Sequence, residues 1–185
     1  MITPSDYEQL FSSCILTTDP RQVQELNYVC RVAIANELAY QTVSAATGIP
    51  WPAIAVIHFR EAGQNFKSHL HNGDPLTART THVPAGRPAR GEPPFTWSVS
   101  AIDALSGLWR PREWSIPMCL SFFASYNGFG YEKRGVLSPY LWDFTDKYSS
   151  GLFVADGHFD PNAKESRPGA VAILKTLQAR GVAIG

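Results

Sequence analysis

A chain of 185 residues with no net formal charge, 44% apolar and 17% charged residues, is long enough for one domain with its own core and too apolar to be disordered. Neutrality leaves no global field to draw it onto nucleic acid or an anionic cell wall, so such attraction must come from a local patch such as Arg79, Arg87 and Arg90. Cys14, Cys30 and Cys119 are odd in number and far apart, which excludes a disulfide framework or a Cys-x-x-Cys zinc site and predicts three buried thiols.

The first element expected is a short helix around Ser5 to Cys14. Thr18-Asp19-Pro20 is a helix start signal, and apolar residues at helical spacing continue to about Thr47, with Val23, Leu26, Val29, Ile34 and Leu38 as the core stripe. These N-terminal helices, residues 1–48, are expected to pack on the core of a single domain covering 1–185. Gly48-Ile49-Pro50 then breaks the helix. From Ile49 to Phe59 the chain is apolar apart from His58, with Pro50 and Pro52 where a first turn tolerates a missing N–H, so a buried helix is predicted. Gln64 to Phe95 is rich in Gly, Pro, Asn, Thr and Arg, and a small sheet with loops is expected there. Next come a helix of about Ser98 to Leu108, capped by Thr96 or Ser98, and a central buried helix from Ile116 to Tyr126 that ends at Asn127-Gly128. Residues 138–150 are aromatic and partly helical, Gly151 to Phe159 is a candidate hairpin, and Pro161 to Arg180 reads as a closing helix with Ala170, Ile173, Leu174 and Leu177 inward. The fold class expected is therefore mainly α, with a small β element after the Glu61 helix.

Glu61 is the residue with the clearest chemical reading. It ends the buried apolar run just before Gly63, where partial desolvation and the negative end of the helix dipole both disfavour its anion and predict a raised pKa. A carboxyl group kept protonated near neutral pH is what protonation of a glycosidic oxygen requires. The plainer reading is a glutamate that solvates a helix end, paired with Arg60 or Lys67. Asp74, with Thr77, Thr80 and Thr81 near enough in sequence to hold a water, is the candidate second carboxylate, although Asn72-Gly73-Asp74-Pro75 equally suits a tight turn. Tyr126 and Asn127 offer a phenol and an amide to an amino sugar, and Phe129, Tyr131, Tyr140 and Trp142 offer ring faces; for each the competing role is core packing. His69 and His71, with Asp74 and either His58 or His82, have residue types that bind zinc, but no zinc-protease signature such as His-Glu-x-x-His accompanies them. His58, one turn before Glu61, reads as a core histidine or as a support for that carboxylate.

Glu61-Ala62-Gly63-Gln64-Asn65-Phe66 resembles the Glu-Ser-x-x-Asn-Phe type of motif around the acid of lysozyme-like muramidases and lytic transglycosylases. Ser125-Tyr126-Asn127-Gly128-Phe129-Gly130-Tyr131 resembles their Tyr-Asn-x-Gly glycan-binding segment. Together with His69 to Thr80, Val83 to Pro88 and Ser138-Pro139-Tyr140-Leu141-Trp142, these segments look like the phage and prophage lysozymes of the lysozyme superfamily. The resemblance implies a lysozyme-like helical domain with a small β-hairpin or sheet insertion directly after the helix of the catalytic Glu. It implies a peptidoglycan muramidase cutting between N-acetylmuramic acid and N-acetylglucosamine, with Glu61, Asp74 and Thr80 catalytic and Tyr126, Asn127, Tyr131 and Tyr140 on the glycan. With a single carboxylate, a lytic transglycosylase giving anhydro products is implied instead. A zinc peptidase or amidase and a non-catalytic glycan-binding module are the competing classes. No metal, nucleotide or redox cofactor is indicated, and the expected partner is the peptidoglycan strand rather than nucleic acid. No apolar run nears the roughly 20 residues that span a bilayer, and Met1 to Pro20 lacks the basic start and apolar centre of a secretory signal. The expectation is synthesis in the cytoplasm and delivery to the wall through a holin pore or a contractile injection device.

Overall fold

Capping and proline chemistry set most helix starts. In the computed structural model, which describes residues 2–184, α1 (Pro4–Ser13) opens on a capping box in which Thr3 Oγ1 accepts from the Asp6 amide while Asp6 accepts from the Thr3 amide. α2 (Pro20–Ala35) has proline at its first position, with the Asp19 carboxylate accepting from the Arg21 and Gln22 amides. The remaining elements are α3 (Glu37–Thr47), α4 (Trp51–Ala62), α5 (Trp97–Leu105), α6 (Ile116–Asn127), a 3-10 turn (Glu132–Arg134), α7 (Pro139–Trp142), β1 (Leu152–Ala155), β2 (His158–Asp160) and α8 (Ala170–Ala179). The described residues are thus mainly helical with one small antiparallel sheet, as the sequence leads one to expect.

The contacts group these elements into two compact units, 2–30 with 111–184, and 31–110. In the first unit, α6 buries Cys119, Leu120, Phe122 and Phe123 and packs on α1, α7 and α8. α8 buries Ala170 to Leu174 and Leu177. It starts at Ala170, with Gly169 as its N-cap, rather than at Pro161. That glycine lies so close to α7 that a Cβ would stand 2.6 Å from the Leu141 carbonyl oxygen, so no other residue fits without moving backbone. All three cysteines are buried free thiols. The sheet is the hairpin β1–β2, with Leu152 opposite Asp160 and Phe153 opposite Phe159, turning at Asp156-Gly157.

In the second unit α3 and α4 are separated by the Gly48-Ile49-Pro50 breaker and meet at a bend of 109°. Every residue of α4 from Pro52 to Arg60 is buried, and α3 packs on both α4 and α5. Ile54 and Ile57 are fully buried, and each such side chain contributes about 1.5–3 kcal/mol through removal from water. Thr96 caps α5, its Oγ1 accepting from the Val99 amide.

Two expectations are corrected here. The stretch from Pro20 to Thr47 is two helices, interrupted at Asn36, whose side-chain amide donates to the Val32 carbonyl. The interruption resets the helical phase, so Tyr40 and Val43 point inward while Leu38 is 78% exposed; Val23, in the first turn of α2, is also exposed. The sheet does not follow the Glu61 helix. Residues 64–95 hold only an isolated bridge between Ser68 and Pro75, and the strands lie at 152–160. Pro75, Pro84, Pro88, Pro93 and Pro94 remove the donors a ladder needs, and side-chain acceptors organise this segment instead.

Candidate functional site

Glu61 occupies the last turn of α4, and it is solvent-exposed although the nine residues before it are buried. The partial desolvation expected of it is therefore not supplied by its position, while the carbonyl end of α4 is. Two left-handed residues, Gly63 (φ +57°) and Gln64 (φ +59°), turn the chain away from the helix, with the Gly63 amide donating to the Phe59 carbonyl. Left-handed backbone is unusual for a glutamine and is held by what its side chain does. Gln64 is buried and its side chain hydrogen-bonds the Tyr40 hydroxyl, which lies 3.1 Å from His58 Nδ1.

His58 is fully buried, its ring centroid 4.5 Å from that of Trp97 and 4.7 Å from that of Phe66. Burial lowers its pKa to about 4, opposed in part by the Asn65 backbone, and Nε2 is buried without a hydrogen-bond partner among the described residues. His58 is therefore the neutral core histidine of the two readings. Tyr40 and Gln64 escape a sequence reading because they meet His58 across two helices, and nothing in their local pattern marks the meeting.

Asp74 and Thr80 lie in one loop, and both are engaged in holding it. Asp74 Oδ2 accepts from the Thr81 amide at 2.7 Å, the His82 amide at 3.0 Å and the Thr81 hydroxyl at 3.2 Å, while Oδ1 accepts from His82 Nδ1 at 2.6 Å. These bonds, that of the His82 ring first, hold its carboxyl far below the usual carboxylate range. Asn72 Oδ1 accepts from the Asp74 amide, the local bond that the Asn-Gly-Asp turn favours. An ionised Asp74 also fixes the tautomer of His82: Nδ1 carries the hydrogen, and Nε2 belongs to a side chain 80% exposed. Thr80 Oγ1 donates to the Pro84 carbonyl and accepts from the Arg87 amide, so both functions of its hydroxyl are used.

The histidines proposed as zinc ligands do not converge. His69 Nδ1 meets Ser100 Oγ at 2.8 Å and Nε2 donates to the Ala78 carbonyl, whereas His71 Nε2 bonds Asp103 Oδ2 at 2.8 Å. Among the described residues no group of three His, Cys, Asp or Glu side chains is arranged to hold a metal ion. Ser100, His71 and Asp103 do form a Ser–His–Asp chain, with Oγ 3.4 Å from His71 Nδ1, but Ser100 is fully buried and offers no nucleophile to a substrate.

The remaining predicted residues belong to the first unit. Tyr126 is half-buried near the end of α6, and Asn127 is its last residue. Asn127 Nδ2 donates to Ser138 Oγ at 3.1 Å, and the same oxygen caps α7 by accepting from the Tyr140 amide. Asn127 Oδ1 makes no further hydrogen bond among the described residues and is open to a donor. Tyr131 and Tyr140 are 8% and 6% exposed. The Tyr131 hydroxyl accepts from the Phe153 amide and its ring packs edge-on against Phe153, so it anchors the hairpin. A cleft of about 490 Å³ in this unit is lined by Thr17, Asp143, Thr145, Tyr148 and Glu165 among others, and contains none of the predicted residues.

No protein-family model, no curated protein and no solved structure matches the chain.

Proposed function

We propose that the chain is a peptidoglycan muramidase that cleaves the β-1,4 bond between N-acetylmuramic acid and N-acetylglucosamine, with Glu61 as the general acid. The observation that carries this reading is the placement of Glu61: the one point at which a helix buried from Pro52 to Arg60 surfaces, followed at once by a left-handed turn that ends the helix. The carbonyl end of α4 disfavours the carboxylate, and a sugar seated over an exposed Glu61 brings the desolvation that the free protein lacks. Both effects favour the protonated acid at the moment the leaving oxygen needs a proton. The neutral Gln64–Tyr40–His58 chain fixes the turn after Glu61 without adding a competing charge. Asn127, with Oδ1 open, suits the N–H of an acetamido group, and Asn127→Ala is expected to weaken substrate binding more than turnover.

A second reading, a lytic transglycosylase, is favoured by the saturation of Asp74 and Thr80. With its acceptor positions taken up by loop donors, Asp74 is not left to activate water. In that chemistry the 6-hydroxyl of the muramic acid attacks its own anomeric carbon, and Glu61 first protonates the leaving oxygen and then takes up the proton of the hydroxyl. Asp74 is a positioning residue in either case. Mass spectrometry of fragments released from purified peptidoglycan tests the reading: reducing muropeptides establish hydrolysis, and anhydro-muropeptides establish the transglycosylase. Cut peptides on intact glycan, or no fragments, reject both. Delivery through a holin pore or a contractile device belongs to the same proposal.

A further inference from the structure

We propose that the second unit carries a separate binding groove for a short, carboxylate-bearing peptide, and that its occupant is the peptide attached to the glycan strand. The assignment of the occupant rests on the reading of the chain as acting on peptidoglycan. The groove, about 420 Å³, lies between one face of α5 and the loop at 87–90. That volume is in the range that holds a small ligand. Its floor is apolar: Val99 and Ile102 from α5 and Pro88 from the loop, with Val99 42% exposed.

Arg87 and Arg90 line the same groove. They are two of the three arginines that the sequence marks as a local cationic patch. The third, Arg79, is turned to its own loop, where it donates to the Pro88 and Gly91 carbonyls and lies over the Phe95 ring. Arg87 Nε is ion-paired with Asp103 Oδ2 at 2.7 Å, and Nη1 and Nη2 have no partner among the described residues. Arg90 is exposed and has no hydrogen-bond or ion-pair partner among the described residues.

The one carboxylate in the lining, Asp103, is already occupied. It accepts from His71 Nε2 on Oδ2 and from the Ala89 amide on Oδ1, and Oδ2 is ion-paired with Arg87 Nε. Two cations against one compensated anion leave the groove net positive, with planar donors suited to carboxylates. No aromatic ring lines it, so it lacks the flat face on which a sugar stacks. Small alkyl side chains over Val99 and Ile102, with free carboxylates at the guanidinium groups, are what the alanine- and glutamate-containing peptides of peptidoglycan present.

The test is titration of the whole protein with a soluble N-acetylated alanine- and glutamate-containing tripeptide from peptidoglycan. Binding is followed by calorimetry and by the NMR methyl signals of Val99 and Ile102, and the same peptide with amidated carboxylates is the control. The expected result is saturable binding that shifts both residues, weakens at least fivefold in Arg90→Ala and at least fivefold for the amidated peptide. No binding, or binding indifferent to amidation and to Arg90→Ala, overturns the proposal. Equally tight binding of inorganic phosphate at the same methyl groups also overturns it, by making the groove a general anion site. None of these readouts depends on bond cleavage, so failure of the groove and failure of the muramidase reading are seen separately.

Discussion

The helix α4 and the loop that follows it, residues 64–95, are joined end to end yet are ordered by opposite means. α4 is held by what it hides: nine consecutive buried residues on an apolar helix. The loop is held by what it bonds, through Asp74, Thr80, His69 and Asp103, each an acceptor or donor for backbone groups several residues away. Burial acts over the whole helix and forgives no cavity, whereas the loop depends on single polar atoms. Glu61 sits at the junction, where the buried helix ends and polar organisation begins.

The largest effect should come from breaking the buried side. Ile54→Ala removes a fully buried side chain and is expected to cost about 2–5 kcal/mol, read as a shift in the denaturant midpoint at unchanged slope. A cost below that of an ordinary surface substitution would mean that α4 is not the centre of its unit.

The pH dependence sharpens the same comparison. In the unfolded chain His58 takes up a proton near its ordinary value of 6.5, whereas in the fold it does so only near 4. Stability from this residue is therefore complete above 6.5 and is lost as pH falls from 6.5 toward 4, by about 3 kcal/mol in all. Replacement by Gln, which keeps an acceptor for the Tyr40 hydroxyl, should flatten that part of the stability profile. An unchanged slope in His58→Gln would assign the acid sensitivity to other groups.

Asp74→Asn probes the polar side and should act locally. The Thr81 and His82 amides lose a charged acceptor and should exchange their hydrogens faster, while exchange in α4 stays as it was. Equal acceleration in α4 would show that loop and helix open as one unit.

The difference between the two regions also explains what the sequence reveals. The α4 and α6 helices are legible because apolar runs, prolines at the first turn and glycines at the end act on neighbours in sequence. The hairpin at 152–160 is legible from its turn. The loop is not: Asp74 with His82, Arg87 with Asp103 and Ser100 with His69 are pairings set by the path of the chain, and no periodicity predicts them. Strands do not form there because so many of its residues are prolines without an N–H to give. In the candidate site, Glu61 stands where the helix pattern puts it, but its exposure and the Gln64–Tyr40–His58 chain beneath the turn emerge only in three dimensions. Tyr131 and Tyr140 show the converse, since aromatic residues in a suggestive motif are taken up by packing.

The central claim is that Glu61 delivers the proton that breaks the glycosidic bond. The direct measurement is turnover of purified peptidoglycan by Glu61→Gln beside the unaltered protein, with thermal unfolding of both as the check on folding. The expected result is a loss of about 10²–10⁴-fold or more in kcat with an unchanged unfolding transition. Near-normal turnover by a fully folded Glu61→Gln protein would contradict the account.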